Sequence, residues 1–256
     1  MKKILLSLLV LVNLNANKLV VLEPSAVEIL YELDSFHNIL AIANTTTSTI
    51  YPEDKTKLLP SVGTYTRPNI EKIIELKPDI VITSQHSLGL EKLKEFNIKI
   101  LDFKANSFEE LKNNIAKLGE VTNKKDKAQK IIKEFELGIK EFQNLAKDKT
   151  AMFIFSSNPI MLFCDNNLAN DVIKAFGMKN ICDLKEQTPI VNKEYIISKN
   201  PDYIFYFNDG DLKIISNFLK HTKAFKNNNL IKTNSSSMLR ASPRIIINMK
   251  ELSKEL

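Results

Sequence analysis

Asn69-Ile70-Glu71-Lys72-Ile73-Ile74-Glu75-Leu76-Lys77-Pro78-Asp79 returns further along the chain as Asn192-Lys193-Glu194-Tyr195-Ile196-Ile197-Ser198-Lys199-Asn200-Pro201-Asp202, with six of eleven positions identical at one fixed offset. Each copy ends in Pro-Asp and runs into an apolar stretch, Ile80-Val81-Ile82 in the first and Tyr203-Ile204-Phe205-Tyr206 in the second. A helical pattern, a turn signal and a short β-branched or aromatic run predict helix, turn and buried strand in that order. Two such units predict two similar α/β lobes, and the cleft between two lobes is a natural place for a site.

Working outward, residues 19–22 read as a strand and Pro24-Ser25 opens a helix whose apolar face is Val27, Leu30 and Tyr31. A second strand follows at 39–43, and a loop over 60–68 leads into the first copy, where Asn69 is placed to cap the helix and Glu71 sits in its first turn. Beyond the strand 80–83 come a helix near 90–96, a strand at 99–103 and the capping-box pattern Ser107-Phe108-Glu109-Glu110. Residues 124–148 predict one long charged helix midway between the copies, the rigid connector. A strand at 151–155, a loop at Ser156-Ser157-Asn158-Pro159, a helix near 168–176 and a last helix opened by Ser242-Pro243 complete the second lobe. The expected organisation is a leader at 1–16, an N-terminal lobe at 17–123, the connector at 124–148 and a C-terminal lobe at 149–256.

With 256 residues and 44% apolar content, the chain can bury a sizeable core. Met1-Lys2-Lys3 and the apolar run 4–12 have the form of a secretory signal, with cleavage expected after Ala16; a buried N-terminal strand or helix is the alternative reading. No Cys stands at that cleavage point, so no lipid anchor is expected. Export to an oxidising compartment would permit a Cys164–Cys182 bridge, and two buried small hydrophobes are the alternative. The formal charge of +6 comes from lysines spread along helices without a basic-aromatic cluster, which argues against nucleic acid.

Only Arg67, Arg240 and Arg244 are arginines, and they lie in two short segments beside expected loop-to-helix junctions. A planar, multidentate donor there suits a carboxylate or phosphate on a ligand, or a salt bridge between lobes. There is no Gly-x-Ser-x-Gly, no phosphate-cradling loop among the 6 glycines, no His-Glu-x-x-His and no zinc-spaced Cys pair. His37, His86 and His221 fall in unrelated segments. The reading is therefore a binding protein, with a secreted hydrolytic enzyme as the weaker alternative.

"KLVVLEPSAVEILYEL" at 18–33, "YPEDKTKLLPSVGTYTRPNIEKIIELKPDIVIT" at 51–83 and "LRASPRIIINMKEL" at 239–252 together resemble the periplasmic substrate-binding proteins of ABC importers for cobalamin, haem and ferric siderophores. The likeness covers essentially the whole chain after the leader. It is strongest to the cobalamin binders, through the Asn158-Pro159 loop and Arg240-Ala241-Ser242-Pro243-Arg244. It implies a class III binding protein: two lobes on one long helix, limited hinge closure, and ligand between the lobes. It further implies a periplasmic monomer that has no cofactor of its own and docks on a two-fold permease with its ATPase.

In that family one acidic residue on each lobe docks into arginine-lined permease pockets, and Glu71 and Glu194 match those positions. Independently, a symmetric partner requires equivalent charges on both lobes, which a duplicated helix start supplies. On the ligand side, Tyr65 falls where cobalamin binders place an aromatic over the corrin face, and Arg240 falls in the segment near the ligand. Ser84, Met161 and Thr188 stand at other positions of that pocket that are aromatic in cobalamin binders, and the chain has no Trp, so stacking surface is reduced. Haem is the close competitor, with Tyr65 and His86 as candidate iron ligands. Arg67 with Tyr65 would suit a catecholate or hydroxamate siderophore.

Overall fold

The structure is a computed structural model that describes residues 17–45, 48–84, 89–207, 209–233 and 239–256. The expected leader at 1–16 and His86 lie outside the described residues.

Two sheets form from the two halves of the chain. In the first, β1 (Leu19–Val21), β2 (Ile39–Asn44), β3 (Ser61–Thr64), β4 (Ile80–Thr83) and β5 (Lys99–Asp102) are all parallel in the order β3-β2-β1-β4-β5. Its central strands are continuous apolar runs because helices cover both faces; Leu19, Val20, Val21, Val81 and Ile82 are all within 1% of complete burial. In the second, β6 (Thr150–Ser157), β7 (Ile160–Phe163), β8 (Lys179–Asn180), β9 (Tyr203–Tyr206) and β10 (Leu230–Lys232) take the order β10-β9-β6-β7, with β8 also paired to β6. β6 and β7 are antiparallel, so the expected loop at 156–159 is a hairpin turn and β6 itself runs on to Ser157.

The helices are α1 (Pro24–Glu32), α2 (Glu53–Thr56), α3 (Ile70–Leu76), α4 (Phe108–Val121), α5 (Lys125–Lys140), α6 (Leu168–Ala175), α7 (Lys193–Lys199), α8 (Asp209–Leu219), α9 (Lys223–Lys226) and α10 (Ile245–Leu252). Residues 90–96 form a 3-10 helix rather than an α-helix, bracketed by left-handed Gly89 and Asn97.

The sequence repeat is a structural repeat in detail. Asn69 and Asn192 each cap their helix, accepting the backbone N–H three residues on at 2.9 Å. Lys77 and Asn200 end those helices with left-handed backbone, φ 47° and 48°. The Asp that closes each copy then reaches the other central strand: Asp79 Oδ2 accepts from Lys18 N at 2.7 Å and Asp202 Oδ2 from Thr150 N at 2.9 Å. Both Pro-Asp turns therefore fix the register of the following strand against the first strand of its lobe.

The connector differs from the expectation. Helix α5 ends at Lys140, and residues 141–148 form turns, with Asn144 and Asp148 at positive φ. Contacts with the second lobe replace the helical ladder there: Ala146 N donates to Phe176 O at 2.9 Å, and Phe142 packs edge-on against the Phe176 ring. One continuous apolar core runs from α1 through α4 and α5 to the second sheet and α10. Asp171 of α6 adds a polar tie by accepting the Phe108 N–H at 2.7 Å at the start of α4.

Candidate functional site

Strands β1 to β5 all point the same way, so their carboxyl-end loops converge on one edge of the sheet. A cavity of about 610 Å³ lies there. Glu23 after β1, Asn44 and Thr45 at the end of β2, Thr64 and Tyr65 at the end of β3, Ser84 after β4 and the segment 103–106 after β5 line it; Leu239, Arg240 and Ala241 close the remaining side. The strand order reverses between β1 and β4, and ligands of open parallel sheets bind outside the carboxyl ends at such a switch point.

Tyr65 reaches the cavity because of the residue two before it. Gly63 has φ +95°, and a Cβ there would lie 2.8 Å from the Arg67 carbonyl oxygen. Only glycine accepts that backbone and that approach together. The tight loop is closed by Asn69 N donating to Val62 O at 2.7 Å and Arg67 N donating to Thr64 Oγ1 at 3.2 Å. At the switch point, Glu23 Oε1 accepts from Ser25 N at 3.3 Å and Ser25 Oγ at 3.0 Å, and its Oε2 accepts from Ser84 Oγ.

Arg240 borders the cavity while its guanidinium is held from behind. Nη1 donates to Glu28 Oε1 at 2.6 Å and to Thr49 O at 2.5 Å, and Nη2 donates to Ser48 Oγ at 2.8 Å. Glu28, on the inner face of α1, also accepts from Ser242 Oγ at 2.6 Å and Tyr51 N at 3.2 Å. Side-chain exposure is 11% for Arg240 and 4% for Glu28, so this ion pair is largely buried, and three guanidinium hydrogen bonds hold it. Arg244 lies over the Tyr51 ring, 3.4 Å from its centroid. Two of the three arginines thus clamp the C-terminal segment onto the first lobe. Nearby, burial and then the Glu28 charge push the Glu32 carboxyl up to about 7.

Tyr65, Ser84 and Arg240 are therefore brought to one cavity. Arg67, Met161 and Thr188 are not in its lining. Arg67 is exposed just past the Tyr65 loop, Met161 is held in β7 opposite Ser156, and half-buried Thr188 lies in the strand-like segment beside β7. Glu23, Asn44, Lys104 and Asn106 were not singled out from sequence, yet each lies at or just after a strand's carboxyl end, which is the signal that finds them. The second lobe adds a cluster the sequence reading missed: Phe153, Phe155, Phe163, Phe205 and Phe207, with ring centroids 4.9–6.3 Å apart. Among the described residues, no group of three or more His, Cys, Asp or Glu is placed to hold a metal ion.

Glu71 and Glu194 are exposed in the first turns of α3 and α7. Helix α7 carries a brace with no counterpart at α3 among the described residues. The Tyr195 hydroxyl donates to Asp183 Oδ1 at 2.7 Å, Lys199 Nζ reaches Asp183 Oδ2 at 2.5 Å, and Cys182 beside them is disulfide-bonded to Cys164. The Lys199 and Tyr195 hydrogen bonds hold the Asp183 carboxyl down at about 2.

Comparison with known proteins decides what the two lobes and their cavity represent. The family model for periplasmic binding proteins matches residues 19–236. The chain belongs to that family. As a periplasmic binding protein it is a substrate-binding component of the ABC-transporter type. It is 25% identical over 249 residues to the Vitamin B12-binding protein of Vibrio parahaemolyticus, covering 94% of this chain and 89% of that one. The crystal structure of the periplasmic vitamin B12-binding protein BtuF of Vibrio cholerae superposes with a TM-score of 0.78 at 22% identity, over 94% of this chain and 96% of that one. A possible iron-binding, periplasmic solute-binding protein from Staphylococcus epidermidis gives 0.82 at 24% identity, over 94% and 98%. These last two likenesses establish the class III fold. No helix among the described residues is long and apolar enough to cross a membrane.

Proposed function

We propose that this periplasmic binding protein captures cobalamin or a closely related metal chelate between its lobes and hands it to a two-fold permease with its ATPase. The observation that carries the reading is the cavity at the switch point of the first sheet, with Tyr65 on its wall and hydrogen-bonding side chains around it. A ring face suits a macrocycle and the polar rim suits a periphery of amides. The Vitamin B12-binding relative along nearly the whole length supports the same cargo. Haem is the second reading, favoured by a phenol at the cavity that can ligate iron.

Delivery uses Glu71 and Glu194, each at the start of a duplicated helix, against equivalent sites on the permease. Residues 1–16 serve as a cleaved signal peptide, the mature chain starts near Asn17, and 17–123, 124–148 and 149–256 act as lobe, connector and lobe. The protein works as a monomer and catalyses no reaction. Equilibrium dialysis of the mature protein against cyanocobalamin, haemin and a ferric hydroxamate tests the cargo. Saturable one-to-one uptake of cyanocobalamin is expected; uptake of haemin with an iron spectrum altered by Tyr65→Phe would transfer the assignment to haem, and uptake of none would refute it.

A further inference from the structure

Among the described residues, one carboxylate lines the cavity. Glu23 follows β1, lies at the switch point and is half-buried. Its three hydrogen bonds among the described residues all come from neutral donors, Ser25 N, Ser25 Oγ and Ser84 Oγ. A carboxylate offers about four acceptor positions, so one remains for a group inside the cavity. No cation among the described residues pairs with it: Arg240 is taken by Glu28, and Lys104, the other basic residue of the lining, makes no ion pair with Glu23. The site therefore presents a fixed, acceptor-only negative charge to whatever enters.

We infer that Glu23 selects the cargo by the charge and hydrogen-bonding character of its rim, accepting from N–H donors such as primary amides and rejecting carboxylates at the same place. This deepens the cargo reading of the same cavity and rests on it. The discrimination arises because one change of ligand group reverses the interaction. An amide N–H fills the open acceptor position with a charge-assisted bond. A carboxylate brings a like charge against Glu23 and leaves the acceptor unfilled. Corrin rims carrying amides pass such a filter, whereas propionate-bearing porphyrins meet repulsion if they present that edge.

The test compares cyanocobalamin with its monocarboxylate derivatives, each made by hydrolysing one rim amide, by equilibrium dialysis at pH 7.5. Wild-type protein should favour cyanocobalamin over at least one positional isomer by about tenfold. Glu23→Gln keeps an acceptor for the α1 cap while removing the charge, and should reduce that preference to within about twofold. Glu23→Asp keeps the charge and should retain the preference, which separates selectivity from any general loss of fold. Equal preference ratios in the wild type and Glu23→Gln, with cyanocobalamin still bound, would overturn the role of Glu23 alone. Failure of wild-type protein to bind cyanocobalamin or any derivative would overturn the cargo reading and this inference together.

Discussion

At the scale of single residues, the C-terminal segment is held by one buried charge pair whose loss should be felt throughout the molecule. Removing one partner from such a pair strands the other charge away from water, at a cost of about 3–5 kcal/mol. Glu28→Ala should lower stability by about that amount in urea unfolding, because it removes the counter-charge and leaves Arg240 with Ser48 and Thr49 as its partners. A loss below about 1 kcal/mol would show that water reaches the pair. Glu32 gives a pH signature. Burial, and then the Glu28 and Glu134 charges, push its carboxyl from the ordinary 4.5 up to about 7 in the fold, against the opposing pull of Arg244 and Lys127. The folded state therefore holds this proton more tightly than the unfolded chain does. The stability so gained is complete below pH 4.5 and is lost as pH rises through about 7. Glu32→Gln should remove that decline, so its melting temperature should gain on wild type between pH 4.5 and 7.5; parallel melting curves across that range would contradict the assignment.

At the scale of elements, the β3-to-α3 loop shows how backbone geometry presents a side chain. Gly63→Ala would both strain the backbone at φ +95° and set a Cβ 2.8 Å from the Arg67 carbonyl oxygen, and relief of either moves Tyr65. It should weaken cyanocobalamin binding at least fivefold with the melt lowered only by a few degrees; unchanged affinity would place the ligand elsewhere in the cavity. The same loop marks how far sequence carries. The helix-turn-strand repeat was legible because Asn caps, apolar spacing and Pro-Asp turns act within a few residues. Strand β3 was not, since Ser61-Val62-Gly63-Thr64 is too short and polar for its period to register. The end of α5 was not, because contacts with Phe176 and Gly177, distant in sequence, decide it. Likewise Tyr65, Ser84 and Arg240 were legible as candidates, but the Glu28 clamp on Arg240 spans 212 positions and no local pattern encodes it.

At the scale of the whole molecule, two lobes share a continuous core along α4, α5 and α10, so large independent motion of the lobes would expose apolar surface. Closure of limited amplitude fits that core, and the proposed docking would then read two fixed points rather than one. Charge reversal at both Glu71 and Glu194 should abolish uptake of cyanocobalamin into cells while leaving its dissociation constant within about twofold, because the two helices present them to solvent rather than to the cavity. Equal loss of binding would move these residues into the ligand site. The most direct test of the central claim, that this periplasmic binding protein holds its chelate against Tyr65 at the switch point, is the dissociation constant of cyanocobalamin for wild type and for Tyr65→Ala. Loss of the ring face should cost about 1–3 kcal/mol, roughly a five- to 150-fold weakening, with Tyr65→Phe near wild type. Equal affinity in wild type and Tyr65→Ala would contradict the account.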